Sequence, residues 1–97
     1  MNPFFDEAGA LLASAAQERG VTIDPPKLDP KIADELLEFS RVVAHTRERR
    51  FAPLSTYMAG IAAGSILAKQ PQFDVVAYLK AVRDVLETQE GSASSSR

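Results

Sequence analysis

A short stretch near the middle of the chain holds most of the residues that could do chemistry. The segment VVAHTRERRFAPLST, residues 42–56, contains the single histidine, His45, the charged run RERR at residues 47–50, and the hydroxyls of Ser55 and Thr56. Guanidinium groups, hydroxyls and the first amides of a helix are groups that bind phosphate or carboxylate. The stretch therefore indicates an anion site. One histidine in a chain without cysteine supplies neither a zinc site nor a catalytic acid–base pair, so we predict no metal ligand and no catalytic residue.

The candidate anion site lies where one predicted helix ends and the next begins. Its candidate residues are Arg47, Arg50, Ser55 and Thr56. Helical angles return both arginines toward the apolar stripe of their helix at its last turn, where they can also cap its carbonyl groups. The residues before Pro53 offer no side-chain cap, so free amides are expected beside the arginines. The alternative is that Glu48, or an acid of the preceding connector, occupies this place.

A second candidate surface lies on the opposite side of the same helix. At 100° per residue, Arg41, His45 and Arg49 point away from the apolar stripe, and Val42 lies off the stripe as an exposed apolar contact. These four residues form a candidate partner surface. The alternative is a solvated face with weak pairing of Arg41 to Glu38.

A ridge of small residues marks the following helix. Gly60 and Gly64 are four residues apart, with Ala63 beside them. A glycine within a helix costs about 1 kcal/mol relative to alanine, so close approach of another backbone is the simplest reason for two of them. That backbone belongs either to the same bundle or to a partner or second copy of the chain, and both interpretations remain open.

These residues are positioned by four predicted helices, and no strand-like alternation of useful length occurs. Asn2, Asp29 and Asp74 are suitable N-caps, and Gly20 is a suitable stop for the first helix. The predicted helices cover about residues 3–19, 30–50, 53–70 and 75–89. A proline-rich connector, residues 21–30, joins the first two. We predict one helical domain over residues 1–89, followed by a disordered Gly/Ser tail, residues 90–97.

The third predicted helix differs from its neighbours in composition. It carries no charge between Phe51 and Ala68 and is apolar on nearly every side, so we place it at the centre of the domain. It is also long enough to cross a membrane, but Pro53, its hydroxyl residues and the amphipathic neighbouring helices argue against that role. The fold prediction is therefore all-α: a compact four-helix domain with a central apolar, Ala/Gly-rich helix three.

Composition limits the classes of function. The chain has 97 residues, 45% of them hydrophobic, a net charge of −2 and no cysteine. This charge gives no general attraction to nucleic acid or to an anionic membrane, and we predict neither as a partner. No disulfide is possible, and the N-terminal residues lack the basic region of a signal peptide. We expect a cytoplasmic protein that holds no cofactor.

The segment LLEFSRVVAHTRERRFAPLSTYMAGIAAG, residues 36–64, resembles a family of short bacterial domains, common in actinobacteria, that has no assigned function. The recurrent pattern of that family is of the type LLxLARxVAHxxxRxxAPLxTFLxGxAAG. The matching positions include Arg41, His45, Arg50, Thr56 and Gly60. Members occur alone, or next to or fused with the nucleotidyltransferase that makes molybdopterin guanine dinucleotide.

The resemblance implies a link to molybdenum-cofactor maturation or to a molybdenum enzyme, and it implies no catalytic residue. We therefore expect a non-enzymatic accessory or interaction domain that binds a protein of molybdenum-cofactor metabolism, or an enzyme of the formate dehydrogenase type. Two alternatives remain open. One is a binder of a phosphorylated small molecule, a nucleotide or a pterin, at the start of helix three. The other is a structural homo-oligomer formed through the glycine ridge.

Overall fold

The computed structural model describes residues 2–95, and the side chains as far as Gln89. Four helices account for most of this part of the chain: α1 Pro3–Glu18, α2 Pro30–Thr46, α3 Phe51–Lys69 and α4 Val75–Ser95. No strand occurs within it. The all-α prediction is confirmed. By its internal contacts the chain divides into two units, Met1–Pro30 and Lys31–Arg97. That the four helices form a single domain over residues 1–89 stays a prediction.

The ends of α1 are set by the residues that the sequence singles out. The side-chain oxygen of Asn2 accepts a hydrogen bond of 2.8 Å from the amide of Phe4, which caps the helix start. Gly20 adopts a positive φ of 87° at the other end. The amides of Gly20 and Val21 donate to the carbonyls of Gln17 and Ala16, which is the Schellman arrangement. Glycine is favoured there because a side chain strains this backbone conformation.

The connector, residues 21–29, has no regular secondary structure, as its prolines predict, and it contacts α1. Gly9 is the buried residue of α1. A Cβ atom at Gly9 would collide with the carbonyl oxygen of Pro26. The glycine is therefore required by a close approach of two backbone segments inside the first unit.

Helices α2 and α4 supply the buried core of the second unit. Among the described residues, the buried apolar side chains are Phe39, Val42 and Val43 of α2 and Val75 and Leu79 of α4. Phe39 and Val43 are four residues apart, as are Val75 and Leu79, which is the spacing of one side of a helix, and Val42 lies beside the stripe of α2. The core is therefore small.

The start of α4 is defined by two local contacts. The Asp74 carboxylate accepts a hydrogen bond of 3.0 Å from the amide of Ala77, as an N-cap does. Phe73, the residue before the cap, packs edge-to-face on Tyr78 with ring centroids 5.9 Å apart. This is a hydrophobic staple, and it sets the angle at which the chain enters α4. The cap confirms the predicted start of the helix.

Two helix ends differ from the prediction. Helix α2 stops at Thr46 rather than near Arg50, and α3 begins at Phe51 rather than near Pro53. The residues between them form a tight link whose carbonyls accept from the first amides of α3. At the C-terminus, α4 runs to Ser95, further than predicted. The side chains from residue 90 onward, and residues 96–97 of the predicted tail, lie outside the described residues.

The burial of α3 also differs from the prediction of a central helix, because none of its residues is buried. Half-exposed residues recur at helical spacing on one side, for example Ala52, Thr56 and Ala63, and the other side is exposed. By length and composition alone, α3 is the one helix of the described chain that could cross a membrane. An apolar composition on every side indicates that α3 is favoured to leave water, but it does not specify how many other helices pack against α3.

Candidate functional site

The start of α3 has few amides to offer an anion. The amide of Phe51 donates to the carbonyl of Glu48 at 3.0 Å, and that of Ala52 to the carbonyl of Arg49 at 3.2 Å. The third residue, Pro53, has no amide hydrogen. No side chain in the described part of the chain caps α3, as predicted. The expectation of free amides is wrong, because the tight link brings two backbone carbonyl groups to the first amides of α3. The partial positive charge at the start of α3 is therefore balanced by carbonyl groups of the preceding link.

Two predicted anion-site residues are occupied within the second unit. Arg50 is paired with Glu48 at 2.9 Å, the alternative that the sequence analysis left open, and its guanidinium lies 6.0 Å from the Phe51 ring centroid. The Thr56 hydroxyl donates to the Ala52 carbonyl at 2.8 Å and lies 2.8 Å from the Ser40 hydroxyl. Since the single hydrogen of Thr56 is already used, Ser40 donates to Thr56. This bond joins α2 to α3.

The other two predicted residues, Arg47 and Ser55, line an open groove of about 530 Å³ between α2, α3 and α4. We call it the groove. Phe39, Val43 and Leu79 form its buried floor, while Phe51 and Met58 of α3 and Val82 of α4 stand exposed at its rim. Val82 and Leu86 continue the apolar side of α4 beyond Leu79 at helical spacing, but they face this groove instead of a filled core.

Arg47 is held against the end of the groove by its own hydrogen bonds. Its guanidinium donates to the carbonyl of Thr46 at 2.9 Å and to Oε1 of Gln89 at 3.5 Å. The second distance is at the long limit for such a bond. The predicted four-residue anion cluster is therefore divided: two members line the groove, and two are committed to contacts inside the unit.

Three of the four residues of the predicted partner surface are exposed, and their role in binding stays a prediction. Arg41 is exposed and forms the predicted pair with Glu38 at 3.0 Å, and His45 and Arg49 are exposed. The assignment of Val42 to this surface is wrong, because its side chain is only 2% exposed. Helix α4 packs beside α3 on α2, so the buried sector of α2 is wider than one stripe and includes Val42.

A further exposed surface lies on α3. Leu54, Tyr57, Met58 and Ile61 are 54–71% exposed and fall within about 100° of one another around the helix axis. We call these four residues the outer face. At Gly60 and Gly64 a Cβ atom would meet no atom of the described residues within 4 Å, so neither glycine is needed for packing inside the described part of the chain. Gly64 and Gly60 adjoin the outer face and continue it as a smooth strip, whereas Ala63 is half-exposed and lies on the opposite side of α3.

A buried ion pair between α2 and α4 was not predicted from the sequence. Glu35 and Arg83 are bound by two hydrogen bonds, of 2.7 and 3.3 Å, and their side chains are 9% and 16% exposed. The hydrogen bond to Glu35 raises the pKa of Arg83. Glu35 lies next to the apolar stripe in the helical register, which is the one sequence signal that could have found it. The pair joins the two helices that form the core and is remote from the outer face in sequence.

No group of three potential metal-ligating side chains occurs among residues 2–89, whose side chains are described.

Residues 6–94 match the family model of a domain of unknown function, DUF6457. The chain belongs to this family. The match extends from α1 into the last turns of α4, so DUF6457 includes both units and not only the segment that carries the resemblance. No curated protein and no solved structure matches the chain.

Proposed function

We propose that this DUF6457 chain is a protein-interaction module, without catalytic activity of its own, that docks a partner protein on the outer face of α3. The observation that carries the proposal is the exposure of Leu54, Tyr57, Met58 and Ile61 on one side of a helix. Scattered apolar residues are normal on a protein surface, but a contiguous apolar patch marks an interaction site. Aromatic residues and methionine are also enriched in protein interfaces.

The charge distribution supports a protein partner with an apolar contact surface. No charged residue occurs between Phe51 and Ala68, so the patch presents no ion that a partner would have to desolvate. Two exposed cations, Arg41 of α2 and Arg49 of the link before α3, supply a polar rim nearby in sequence. An apolar centre with a charged rim is the usual composition of a non-obligate interface.

The resemblance of residues 36–64 supports the identity of the partner. We propose a protein of molybdenum-cofactor metabolism, namely the guanylyltransferase or an enzyme of the formate dehydrogenase type, and the cytoplasm as the place of the encounter. The matching segment includes Leu54 and Gly60, which lie on or beside the outer face. The patch and the resemblance therefore concern the same helix.

A second candidate, a homo-oligomer, is favoured by one observation: the space at Gly60 and Gly64 is open. A second copy could bring its own uncharged α3 against this strip in a symmetric contact. The alternative of a phosphorylated small molecule at the start of α3 has no such support, because the first amides and the Thr56 hydroxyl have partners within the unit.

The test measures binding of the purified chain to each molybdenum protein of the same organism by calorimetry. Ile61→Lys places a charge in the outer face, and Leu37→Lys is the matched control, since Leu37 is 71% exposed on α2. We expect the first variant to weaken the complex by about tenfold or more, as loss of a central interface residue does, and the second to leave it unchanged. Equal weakening by both variants would contradict the assignment to the outer face.

Three parallel measurements separate the other interpretations. Light scattering that gives a dimer, converted to a monomer by Ile61→Lys, would replace the partner protein with a second copy. Co-sedimentation with phosphatidylcholine or phosphatidylglycerol vesicles would instead make α3 a lipid-binding helix. A thermal shift with GTP or inorganic phosphate would support the small-molecule alternative, because a ligand that binds the folded state stabilises it.

A further inference from the structure

The groove is separate from the outer face and has a different composition. Its floor is formed by Phe39, Val43 and Leu79, which belong to the buried core, and its rim by apolar side chains that are open to solvent. Met58 is the residue that it shares with the outer face. The groove is therefore an unfilled extension of the core, and an apolar occupant would be removed from water there.

The dimensions of the groove favour a slim occupant. Its α3 wall, from Phe51 to Ala62, is about 16 Å long, and its α2 wall, from Phe39 to Arg47, is about 12 Å long, at 1.5 Å per residue. An extended hydrocarbon chain laid along these walls would contact the apolar floor over its length. The volume also lies within the range of small-molecule sites.

The charge in the groove lies at one end. Arg47 lines it beside Phe51, near the start of α3, and Ser55 follows one turn further along that helix. A guanidinium group has five N–H donors. One of those of Arg47 forms a long hydrogen bond of 3.5 Å to Gln89, and an incoming anion can replace Gln89 as the acceptor. Carboxylate and phosphate both match the guanidinium fork.

We propose that the groove binds an amphiphile, with an unbranched hydrocarbon chain along the floor and a carboxylate or phosphate head group at Arg47 and Ser55. This inference does not rest on the proposed protein partner, because Met58 is the one outer-face residue that also lines the groove. It also explains why two of the predicted anion-site residues lie in an otherwise apolar groove.

The test titrates the purified full chain with decanoate, decyl phosphate and decanol below their aggregation concentrations, using calorimetry. Acetate and inorganic phosphate serve as probes of the head group alone. We expect one decanoate or one decyl phosphate per chain, and binding of decanol weaker by about tenfold to hundredfold, the loss expected when a bond to a charged group is missing. The stronger of the two anionic probes distinguishes a fatty acid from a phospholipid-type head group.

Matched variants assign the site. Ala62→Phe fills the groove, and Ala68→Phe adds the same ring to an exposed position of α3 outside it. Val82→Phe fills the groove from the α4 wall and replaces the first variant if that one fails to fold. We expect each filling variant to abolish decanoate binding and Ala68→Phe to retain it. Arg47→Gln should weaken decanoate by about tenfold and leave decanol unchanged.

Several results would overturn the proposal. Absence of saturable decanoate binding would refute it, and so would equal affinities for decanol and decanoate. If Ala62→Phe removes the protein partner while decanoate still binds, the groove is a protein-docking site. If the chain is a dimer that Ala62→Phe dissociates, a second copy occupies the groove. Binding that survives Ala62→Phe but is lost in Ile61→Lys would move the amphiphile to the outer face.

Discussion

Replacing Glu35 by Gln tests whether a single ion pair holds the core helices of the second unit together. The substitution preserves the shape of the side chain but removes its charge. Arg83 then keeps a guanidinium group that is only 16% exposed, and it has lost its counter-charge and one of the two oxygens that accept its bonds of 2.7 and 3.3 Å. The cost is therefore mainly that of leaving a largely buried cation without a counter-charge.

The magnitude follows from the burial of the two groups. Breaking a fully buried pair costs about 3–5 kcal/mol, and the remaining exposure of Arg83 together with its weaker contact to Glu87, 3.6 Å away, reduces this to about 2–3 kcal/mol. The matched control is Glu38→Gln, because Glu38 and its partner Arg41 are 50% and 53% exposed. Exposed pairs contribute about 0–1 kcal/mol. The same chemical change on the same helix thus gives two well-separated expectations.

The assay is urea unfolding followed by far-ultraviolet circular dichroism, with the slope m compared between variants to verify that the same transition is measured. We expect Glu35→Gln to lower the free energy of unfolding by about 2–3 kcal/mol. A thermal scan should then show a melting temperature lower by about 10–20 °C, at roughly 4–8 °C per kcal/mol for a chain of this size. Adding Arg83→Met to Glu35→Gln should recover part of the loss, because no uncompensated charge then remains. If Glu35→Gln and Glu38→Gln cost the same, the reasoning from burial is wrong.

Three further predictions concern single positions and are measured by the same unfolding assay. Gly9→Ala should destabilise the chain by about 1–3 kcal/mol, because the added methyl group collides with Pro26. Gly60→Ala, in open space, should stabilise the chain by about 0.5–1 kcal/mol. An equal effect of the two substitutions would contradict the close approach of Pro26 to Gly9. Val42→Ala should cost about 2 kcal/mol, and Leu37→Ala less than about 0.5 kcal/mol; the reverse order would mean that Val42 is exposed after all. Asp74→Ala should cost about 1 kcal/mol through loss of the N-cap, and no change would show that the Ala77 amide finds another acceptor.

The local features of the fold were predictable from the sequence because short-range contacts create them. Asn2, Gly20 and Asp74 act on backbone groups within four residues of themselves, so their roles follow from residue type and position. The apolar stripes of α2 and α4 follow from helical periodicity in the same way. The pair of Arg41 with Glu38 is a neighbour effect along one helix, and it too was predicted.

The candidate site was only half predictable, because its residues depend on contacts between helices. The run at residues 47–50 was noticed for its charges, but only the structure separates Arg47, which lines the groove, from Arg50, which pairs with Glu48. Val42 was misjudged because helical angles describe one helix and ignore the second neighbour that covers it. The groove itself has no sequence signature, since its rim residues have the periodicity of a filled core.

The sequence by itself thus determined the all-α class, the caps and stops of the helices, and the uncharged character of α3. Tertiary structure decided which apolar residues are covered. It buries Val42 and Glu35, opens Val82 to a groove and leaves the outer face of α3 exposed. The physical reason is that hydrophobicity states a preference for burial, whereas burial itself requires a neighbour, and neighbours are set by how the helices are arranged.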